Sequence, residues 1–344
     1  MYINKIKKAI NYIFLACAWI VFLDVFVFRI CLNIGFPRYI GYDSHYIPAP
    51  YVSHVHPDVA QSYKTSRIYN PNNSIFNNLK EDDIKVAFFA GSTGILGEPK
   101  IADVLEDKLS QKLHKKVFVA NFSELSATHR QHMHMLLEYF IEFKPDIIIF
   151  YGGYNEIALP LFEDPRPTYP YNFYYVEMPL WKKNLLRYSA TFGLLEHHFG
   201  ILSKINELRD QIKCATEEWN NTLVDKYFET FELSNDLSKN IHPTYLNNSY
   251  FVAFFQPFKY APPSHVKIFT ELTNSIEAKI PEYDYIHDVH NAYDNLDDSI
   301  WDDDCHVHGE ANIKMAEIIA NTVYNDLKNK NLLNKLYIKK KAQE

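Results

Sequence analysis

Three short polar motifs, far apart in the chain, contain the residue types of a nucleophilic site. They are GST around Ser92, GGYNE around Asn155 and DDDCH ending at His306. Acyl transfer by a serine needs a base, a group that orients the base and donors for an oxyanion. The motifs together supply that set, so they predict acyl-transfer chemistry.

The spacing of the last motif selects one histidine as the base. An aspartate three residues before a histidine, in the turn before a helix, can reach the imidazole, and Asp303 stands at that offset from His306. A second Asp-x-x-His pair, Asp284 and His287, falls in a predicted strand with no helix close behind it. We interpret that second pair as structural.

Alternating strands and helices are predicted from about residue 84 onwards, and they place the motifs at strand ends. Apolar runs predict strands at 85–90, 116–121, 145–153, 249–258 and 283–289. Apolar periodicity predicts helices at 99–115, 128–143, 264–280 and 309–331, with Leu137 among the apolar positions and Ile313 in a buried stripe. This order predicts an α/β fold, a flavodoxin-like three-layer sandwich around a parallel sheet. Its strands would turn their carboxyl ends towards one crevice.

The motifs, in this order and each after a strand, resemble the sequence blocks of the SGNH (GDSL-like) hydrolase superfamily. The resemblance covers roughly residues 84–160 and 249–325, and KPDIIIFYGGYNE is its most specific piece. It implies an ester-hydrolysing serine enzyme without a cofactor. It also implies a role for each polar residue: Ser92 as nucleophile, and Asp303 and His306 as the rest of a triad.

The second block departs from the family pattern, which has glycines where this chain has Ser123 and Ser126 in NFSELS. The resemblance implies an oxyanion hole formed by the backbone N–H groups of Ser92 and Ser126 and the side-chain amide of Asn155. A serine keeps its backbone N–H, so Ser126 still qualifies as a donor. Its side chain would strain the turn if φ is positive there.

An aromatic loop follows the asparagine motif and is a predicted wall of the crevice. Tyr169, Tyr171, Phe173 and Tyr174 are predicted to stack on a sugar, and Arg166 to meet an anion. The alternative is that these aromatic residues pack a helical insertion, at about 181–245, onto the sheet.

The sequence shows no metal or disulfide framework. His129, His132 and His134 lie in one predicted helix, but no carboxylate–histidine set matches a zinc motif. We therefore expect no metal and no cofactor, and histidines that are solvated or hydrogen bonded. A disulfide between Cys214 and Cys305 stays open as an alternative.

The N-terminus differs from the rest of the chain. Three lysines precede an apolar run, Ile10–Cys31, whose 22 residues would span about 33 Å as a helix. We predict an uncleaved single-pass anchor in the inner (cytoplasmic) membrane, with the catalytic domain on the periplasmic or extracellular side. A signal peptide cleaved near ACA at 16–18 is the alternative.

The predicted organisation has four parts: a cytoplasmic N-terminus and anchor at 1–36, an irregular lead-in at 37–83, the hydrolase-like domain at 84–330 and a basic tail at 331–344. The 344 residues carry a net charge of −7, which argues against nucleic-acid binding. We expect an esterase that acts on acyl, chiefly acetyl, esters of envelope or secreted glycans, or on a lipid ester. The alternatives are a glycan O-acyltransferase supplied by a membrane acyl-donor partner, and an inactive binding protein.

Overall fold

The computed structural model describes most of the chain after residue 82 and one helix before it. The described residues are 2–26, 79–80, 83–169, 179–182, 189, 191–192, 205–240, 249–259, 265–334 and 336. They belong to two compact units, Met1–Tyr46 with Asn172–Gln211, and Ile47–Tyr171 with Ile212–Glu344. Most of the predicted lead-in at 37–83 and of the predicted basic tail at 331–344 lies outside the described residues.

The first unit contains α1, Tyr2–Phe22, and from Ile6 onwards its apolar side chains are almost all exposed. The segment Ile6–Phe26 is long and apolar enough to cross a membrane, with a mean hydropathy of 2.0 and only 6% of its residues buried. A signal sequence near an N-terminus has the same properties. Asp24, near the end of this segment, accepts hydrogen bonds from the backbone N–H and the hydroxyl of Thr191, both at 2.7 Å.

The second unit is built on a five-stranded parallel sheet in the order β2-β1-β3-β4-β5. Its strands are β1 Ile84–Ala90, β2 Val117–Asn121, β3 Ile147–Gly152, β4 Tyr250–Phe255 and β5 Ile286–Asp288. This order is the flavodoxin-like one, in which the chain reverses direction across the sheet between β1 and β3. The predicted α/β class and parallel sheet are therefore confirmed.

Helices cover both faces of the sheet. In chain order, the main helices after α1 are α2 Ile101–Leu113, α3 His129–Phe143, α4 Tyr154–Phe162, α5 Ile205–Ile212, α6 Glu217–Asn240, α7 Val266–Lys279 and α8 Glu310–Asn329. Nearly all of α5 belongs to the first unit, and the other six belong to the second. Side chains of α2 and α8 share one core with one face of the strands, whereas α3, α6 and α7 share the core on the other face. The strands are apolar throughout because both faces are buried.

Two sequence-based expectations need correction. The predicted buried position Ile313 is 41% exposed, because it lies at the margin of its helix's apolar stripe; Leu137, another predicted apolar position, is 40% exposed. The predicted third, fourth and fifth strands extend too far, since pairing ends where the neighbouring strand does; β5 is only Ile286–Asp288. The helix α6 lies within the predicted helical insertion at about 181–245 and packs on the sheet, because Phe228 and Phe231 are buried in the core on that face.

Candidate active site

Ser92 begins a tight turn directly after β1. The turn is a short 3-10 helix, Ser92–Gly94, closed by a hydrogen bond from the Gly94 N–H to the Gly91 carbonyl at 3.1 Å. Position 91 must be glycine, because a Cβ there would lie 2.5 Å from the side-chain nitrogen of Asn155. The small residues before and after Ser92 thus let the end of β1 approach the loop that follows β3.

Ser92, His306 and Asp303 form one continuous hydrogen-bonded series. His306 Nε2 lies 2.6 Å from Ser92 Oγ, and His306 Nδ1 lies 2.6 Å from Asp303 Oδ2. The serine is 214 positions from the histidine in sequence. The fold therefore brings together the nucleophile, base and orienting carboxylate that were proposed from the motifs.

The turn that carries Asp303 is stabilised by the same carboxylate. Asp303 Oδ1 accepts hydrogen bonds from the backbone N–H groups of Cys305 and His306, both at 2.9 Å. Partial burial disfavours the charged carboxylate, but these N–H donors and the His306 side chain outweigh burial and hold the pKa of Asp303 below its usual range. Asp303 is thus held as an anion facing the imidazole.

Asn155 joins the loop after β3 to the loop after β2. Its side-chain Nδ2 donates to the carbonyl oxygen of Ala127 at 2.8 Å. The second N–H of the same amide is directed elsewhere, and the nitrogen lies close to Gly91, beside Ser92. The predicted donors of an oxyanion hole therefore sit on adjoining segments.

Ser126 stands where the family pattern has a glycine, and its backbone adopts a conformation that is strained for a residue with a side chain. Its φ is 54°, in the left-handed region that favours glycine, inside a turn closed from the Ala127 N–H to the Glu124 carbonyl. The backbone N–H of Ser126 is retained, since a serine does not remove it. The turn therefore has the shape that a glycine would take, at a local cost.

Ser123 is accommodated by a glycine on the neighbouring loop. A Cβ at position 94 would lie 2.1 Å from Ser123 Oγ, so Gly94 supplies the space that the serine fills. Asn121 links the two loops, because its Nδ2 donates to the Gly94 carbonyl at 2.7 Å while its Oδ1 accepts from the Ser123 N–H at 3.0 Å. The serines in the second block thus fit this chain's own backbone.

Glu156, to which the sequence motifs gave no role of its own, is a buried carboxyl beside Asn155. It is the third residue of α4 and accepts a hydrogen bond from the backbone N–H of His129, and the backbone N–H groups of Gly153 and of Glu156 itself also favour its ionised form. Burial outweighs these donors and raises the pKa of Glu156 to about 7. A glutamate at the third position of a helix often caps its first turn, so the motif GGYNE could have indicated this role for Glu156.

Of the three histidines of α3, His129 and His132 are buried and His134 is half-buried. His129 and His132 are each 1% exposed, and their Nδ1 atoms lie 3.4 Å apart. Burial lowers the pKa of His129 to about 3, so its ring is neutral, and it stacks on Phe150 at 5.5 Å between ring centroids. Within the described residues, the three side chains placed closely enough to share a metal are Asp303, Cys305 and His306, which belong to the site above.

Arg166 has an internal partner. Its guanidinium Nε lies 2.8 Å from Asp164 Oδ1, and its Nη2 pairs with Oδ2 of the same buried carboxylate. It also lies over the ring of Tyr169 at 4.0 Å. The charge expected to meet an anion is therefore already neutralised, and one face of Tyr169 is covered. The other predicted stacking residues, Tyr171, Phe173 and Tyr174, lie outside the described residues.

Two alternatives from the sequence remain to be compared with the structure: the second Asp-x-x-His pair and a disulfide between Cys214 and Cys305. His287 Nε2 lies 2.8 Å from Asp326 rather than from Asp284, which pairs with Lys330 at 2.9 Å. No disulfide joins Cys214 and Cys305 in the described part of the chain. Burial, with Asp303 as the next cause, raises the pKa of the Cys305 thiol well above its ordinary value.

Comparison with known proteins yields distant structural similarity alone. No family model matches the chain, and no curated protein matches it. The lipase Lip_vut3 from a goat rumen metagenome is 14% identical over 70% of this chain and 98% of its own, with a TM-score of 0.41. A GDSL-like lipase from Parabacteroides merdae is 14% identical over 71% and 97%, with a TM-score of 0.39.

The family 3 carbohydrate esterase of Clostridium thermocellum is also 14% identical, over 74% of this chain and 99% of its own, with a TM-score of 0.35. These three similar structures are two lipases, one of them GDSL-like, and a carbohydrate esterase. These likenesses concern the fold and are too distant to assign a substrate or a reaction to this chain.

Proposed function

We propose that the chain is a serine ester hydrolase that removes acyl groups, chiefly acetyl, from envelope or secreted glycans. The observation that carries the proposal is the series Ser92 Oγ–His306 Nε2–Asp303, with both hydrogen-bonding distances at 2.6 Å. A serine, a base and an orienting carboxylate in this order are the machinery of acyl transfer.

In the first step, Ser92 Oγ attacks the ester carbonyl while His306 Nε2 takes the hydroxyl proton. Asp303 accepts a hydrogen bond from Nδ1–H, which fixes the tautomer and stabilises the imidazolium. The carbonyl oxygen becomes an oxyanion, for which the N–H groups of Ser92 and Ser126 and the amide of Asn155 are the proposed donors.

In the second step, the imidazolium protonates the leaving sugar oxygen and the ester C–O bond breaks, leaving the acyl group on Ser92. Water then attacks this acyl-enzyme with His306 again as the base, and carboxylate release regenerates the serine. If a glycan hydroxyl takes the place of water, the same residues perform O-acyl transfer instead.

The glycan assignment and the location rest on the N-terminal unit and the aromatic loop. The exposed apolar segment Ile6–Phe26 supports a single-pass anchor, and the lysines before it favour a cytoplasmic N-terminus with an outward catalytic domain. Tyr169, in the predicted aromatic loop, is 38% exposed. A lipid ester is the competing substrate.

The decisive experiment uses the full chain in detergent with a serine-directed fluorophosphonate and with p-nitrophenyl acetate. We expect labelling and turnover in wild type and in the control Ser275→Ala, a serine on the exposed side of α7. We expect neither in Ser92→Ala. Equal labelling of Ser92→Ala and wild type would overturn the nucleophile assignment, and folded but unreactive wild type would overturn the enzyme.

The substrate is tested by release of acetate from a purified O-acetylated envelope polysaccharide. Acetate release that depends on Ser92 supports the glycan esterase. Formation of new O-acetyl groups on an added glycan acceptor, without free acetate, would instead identify an acyltransferase.

A further inference from the structure

Two hydrogen bonds tie the beginning of α4 to the segment that leads into α3. Asn155 Nδ2 donates to the Ala127 carbonyl at 2.8 Å, and the His129 N–H donates to a carboxyl oxygen of Glu156. Asn155 and Glu156 are adjacent in the chain, and Ala127 and His129 are two positions apart. The two bonds therefore join the same pair of segments at neighbouring points.

The Glu156 carboxyl also closes the helix that carries Asn155. α4 begins after Gly153, and the Glu156 carboxyl, at its third position, interacts with the backbone N–H groups of Gly153 and of Glu156 itself, which favour its ionised form. The first N–H groups of a helix have no partner within the helix, so a side chain that accepts them fixes the first turn. Asn155 lies in that first turn.

Close packing leaves this first turn little freedom to shift. A Cβ at position 152 would lie 2.8 Å from the His129 ring, and one at Gly153, whose φ is 135°, would lie 2.5 Å from the Phe255 ring. The two glycines thus allow His129 and Phe255 to pack on the backbone that precedes α4. Glu156 is 5% exposed, and its hydrogen bond from the His129 N–H adds a polar contact to this packing.

Within the described part of the chain, burial and backbone N–H groups, and no charged side chain, account for the shifted pKa of Glu156. Burial lowers the pKa of His129 and raises the pKa of Tyr227, so both side chains are neutral. The bonds of Glu156 are made to backbone N–H groups, which can donate to a neutral acid or to an amide oxygen in the same geometry. A glutamine can therefore replace it without adding a buried charge.

We propose that Glu156 is a positioning residue that holds the Asn155 amide in place as an oxyanion donor, by joining the first turn of α4 to the segment Ala127–His129. The proposal rests on the function proposed above, because it concerns a donor of that site. Glu156 itself does not touch the substrate and acts through Asn155.

The test compares Glu156→Gln, Glu156→Met and Asn155→Ala in p-nitrophenyl acetate hydrolysis. Glutamine keeps the acceptor oxygen, so kcat should stay near wild type below neutral pH. Methionine has similar length without the acceptor, so kcat should fall about ten- to a hundredfold with KM nearly unchanged, by analogy with loss of an oxyanion donor. The double variant Glu156→Met with Asn155→Ala should be no slower than Asn155→Ala alone. Full additivity, or wild-type kcat in Glu156→Met, would overturn the proposal.

A second pair of variants covers the case in which Glu156→Met does not fold. His129→Pro and His129→Ala both lose the imidazole ring, and the proline variant alone loses the backbone N–H that binds Glu156. His129 is the first residue of α3, a position at which proline is tolerated. A lower kcat in His129→Pro than in His129→Ala supports a positioning role for the hydrogen bond between the His129 N–H and Glu156, and equal kcat values contradict it.

Amide hydrogen exchange separates this inference from the proposed activity. If wild type does not hydrolyse esters, the proposed function fails, and hydrogen exchange then tests only whether Glu156 joins α4 to residues 127–129. Faster amide exchange of residues 127–129 in Glu156→Met than in Glu156→Gln supports the proposed link between Glu156 and this segment, whereas equal protection of these amides contradicts it.

Discussion

Ser123 fills the space that a side chain at Gly94 would need: a Cβ there would lie 2.1 Å from Ser123 Oγ. One residue belongs to the loop after β1 and the other to the loop after β2. A serine in place of a glycine in one loop is thus matched by a glycine in the other. This pairing explains how the chain departs from the expected second block and still packs the two loops.

Because the two positions share one space, a destabilising substitution at one should be compensated by a smaller side chain at the other. Gly94→Ala should lower the free energy of unfolding by about 1–3 kcal/mol, because the new methyl group overpacks a buried turn. Ser123→Gly in the same chain should restore much of that loss. Urea denaturation of the single and double variants measures both effects. Additive losses in the double variant would mean that the two side chains do not compete for one space.

The orientation of His306 by Asp303 can be tested against a neighbouring pair with the same chemistry. Asp303→Asn should lower kcat about 10³–10⁴-fold, because the imidazole loses the partner that fixes its tautomer. Asp302→Asn is the matched control, since Asp302 pairs with the exposed His308 at 3.0 Å in the same turn. Ester turnover is the measurement. Equal losses in the two variants would assign the effect to the turn instead of the imidazole.

The positive φ of Ser126 predicts that a glycine at this position does not lower, and can raise, the stability of the fold. Its φ of 54° is unfavourable for a residue with a side chain, so Ser126→Gly should keep or raise the free energy of unfolding, by up to about 1 kcal/mol. Ser126→Val should lower it, because a β-branched residue fits this region worst. Thermal unfolding of the three proteins gives the order. Activity should survive in the glycine variant, whose backbone N–H is intact.

The buried His129 predicts loss of stability in acid. Burial lowers its folded pKa from 6.5 to about 3, so the unfolded chain binds this proton first as the pH falls. Its contribution is fully present above pH 6.5 and is lost as the pH falls towards 3, by about 2 kcal/mol between pH 6.5 and pH 5. His132, whose pKa burial also lowers, adds to the slope.

The measurement is the free energy of unfolding at several pH values, for wild type, His129→Gln and His308→Gln. The slope should be flatter in His129→Gln than in wild type and in His308→Gln, which replaces an exposed side chain. Glu156 acts in the opposite sense, because its folded pKa is raised to about 7, and it favours the folded state as the pH falls from 7 towards 4.5. Parallel slopes for all three proteins would show that His129 is not the titrating group.

The elements and their order could be predicted from sequence because apolar runs, polar ends and helical periodicity are local properties. β3 reads as an unbroken apolar run since the sheet buries both of its faces, and the motif residues follow strand ends because the chain turns there. The Asp303–His306 offset was equally local, being fixed by one turn. Local pattern thus supplied the set of chemical groups and the strands that carry them.

Packing between elements sets which distant residues meet and what surrounds them. The 2.6 Å contact between Ser92 and His306 depends on strand order, which no local pattern contains. The burial of Glu156 and the pairing of Arg166 with Asp164 likewise arise from the folded arrangement. Distances, partners and charge states at the site therefore emerge only on folding, because they depend on contacts between segments far apart in the chain.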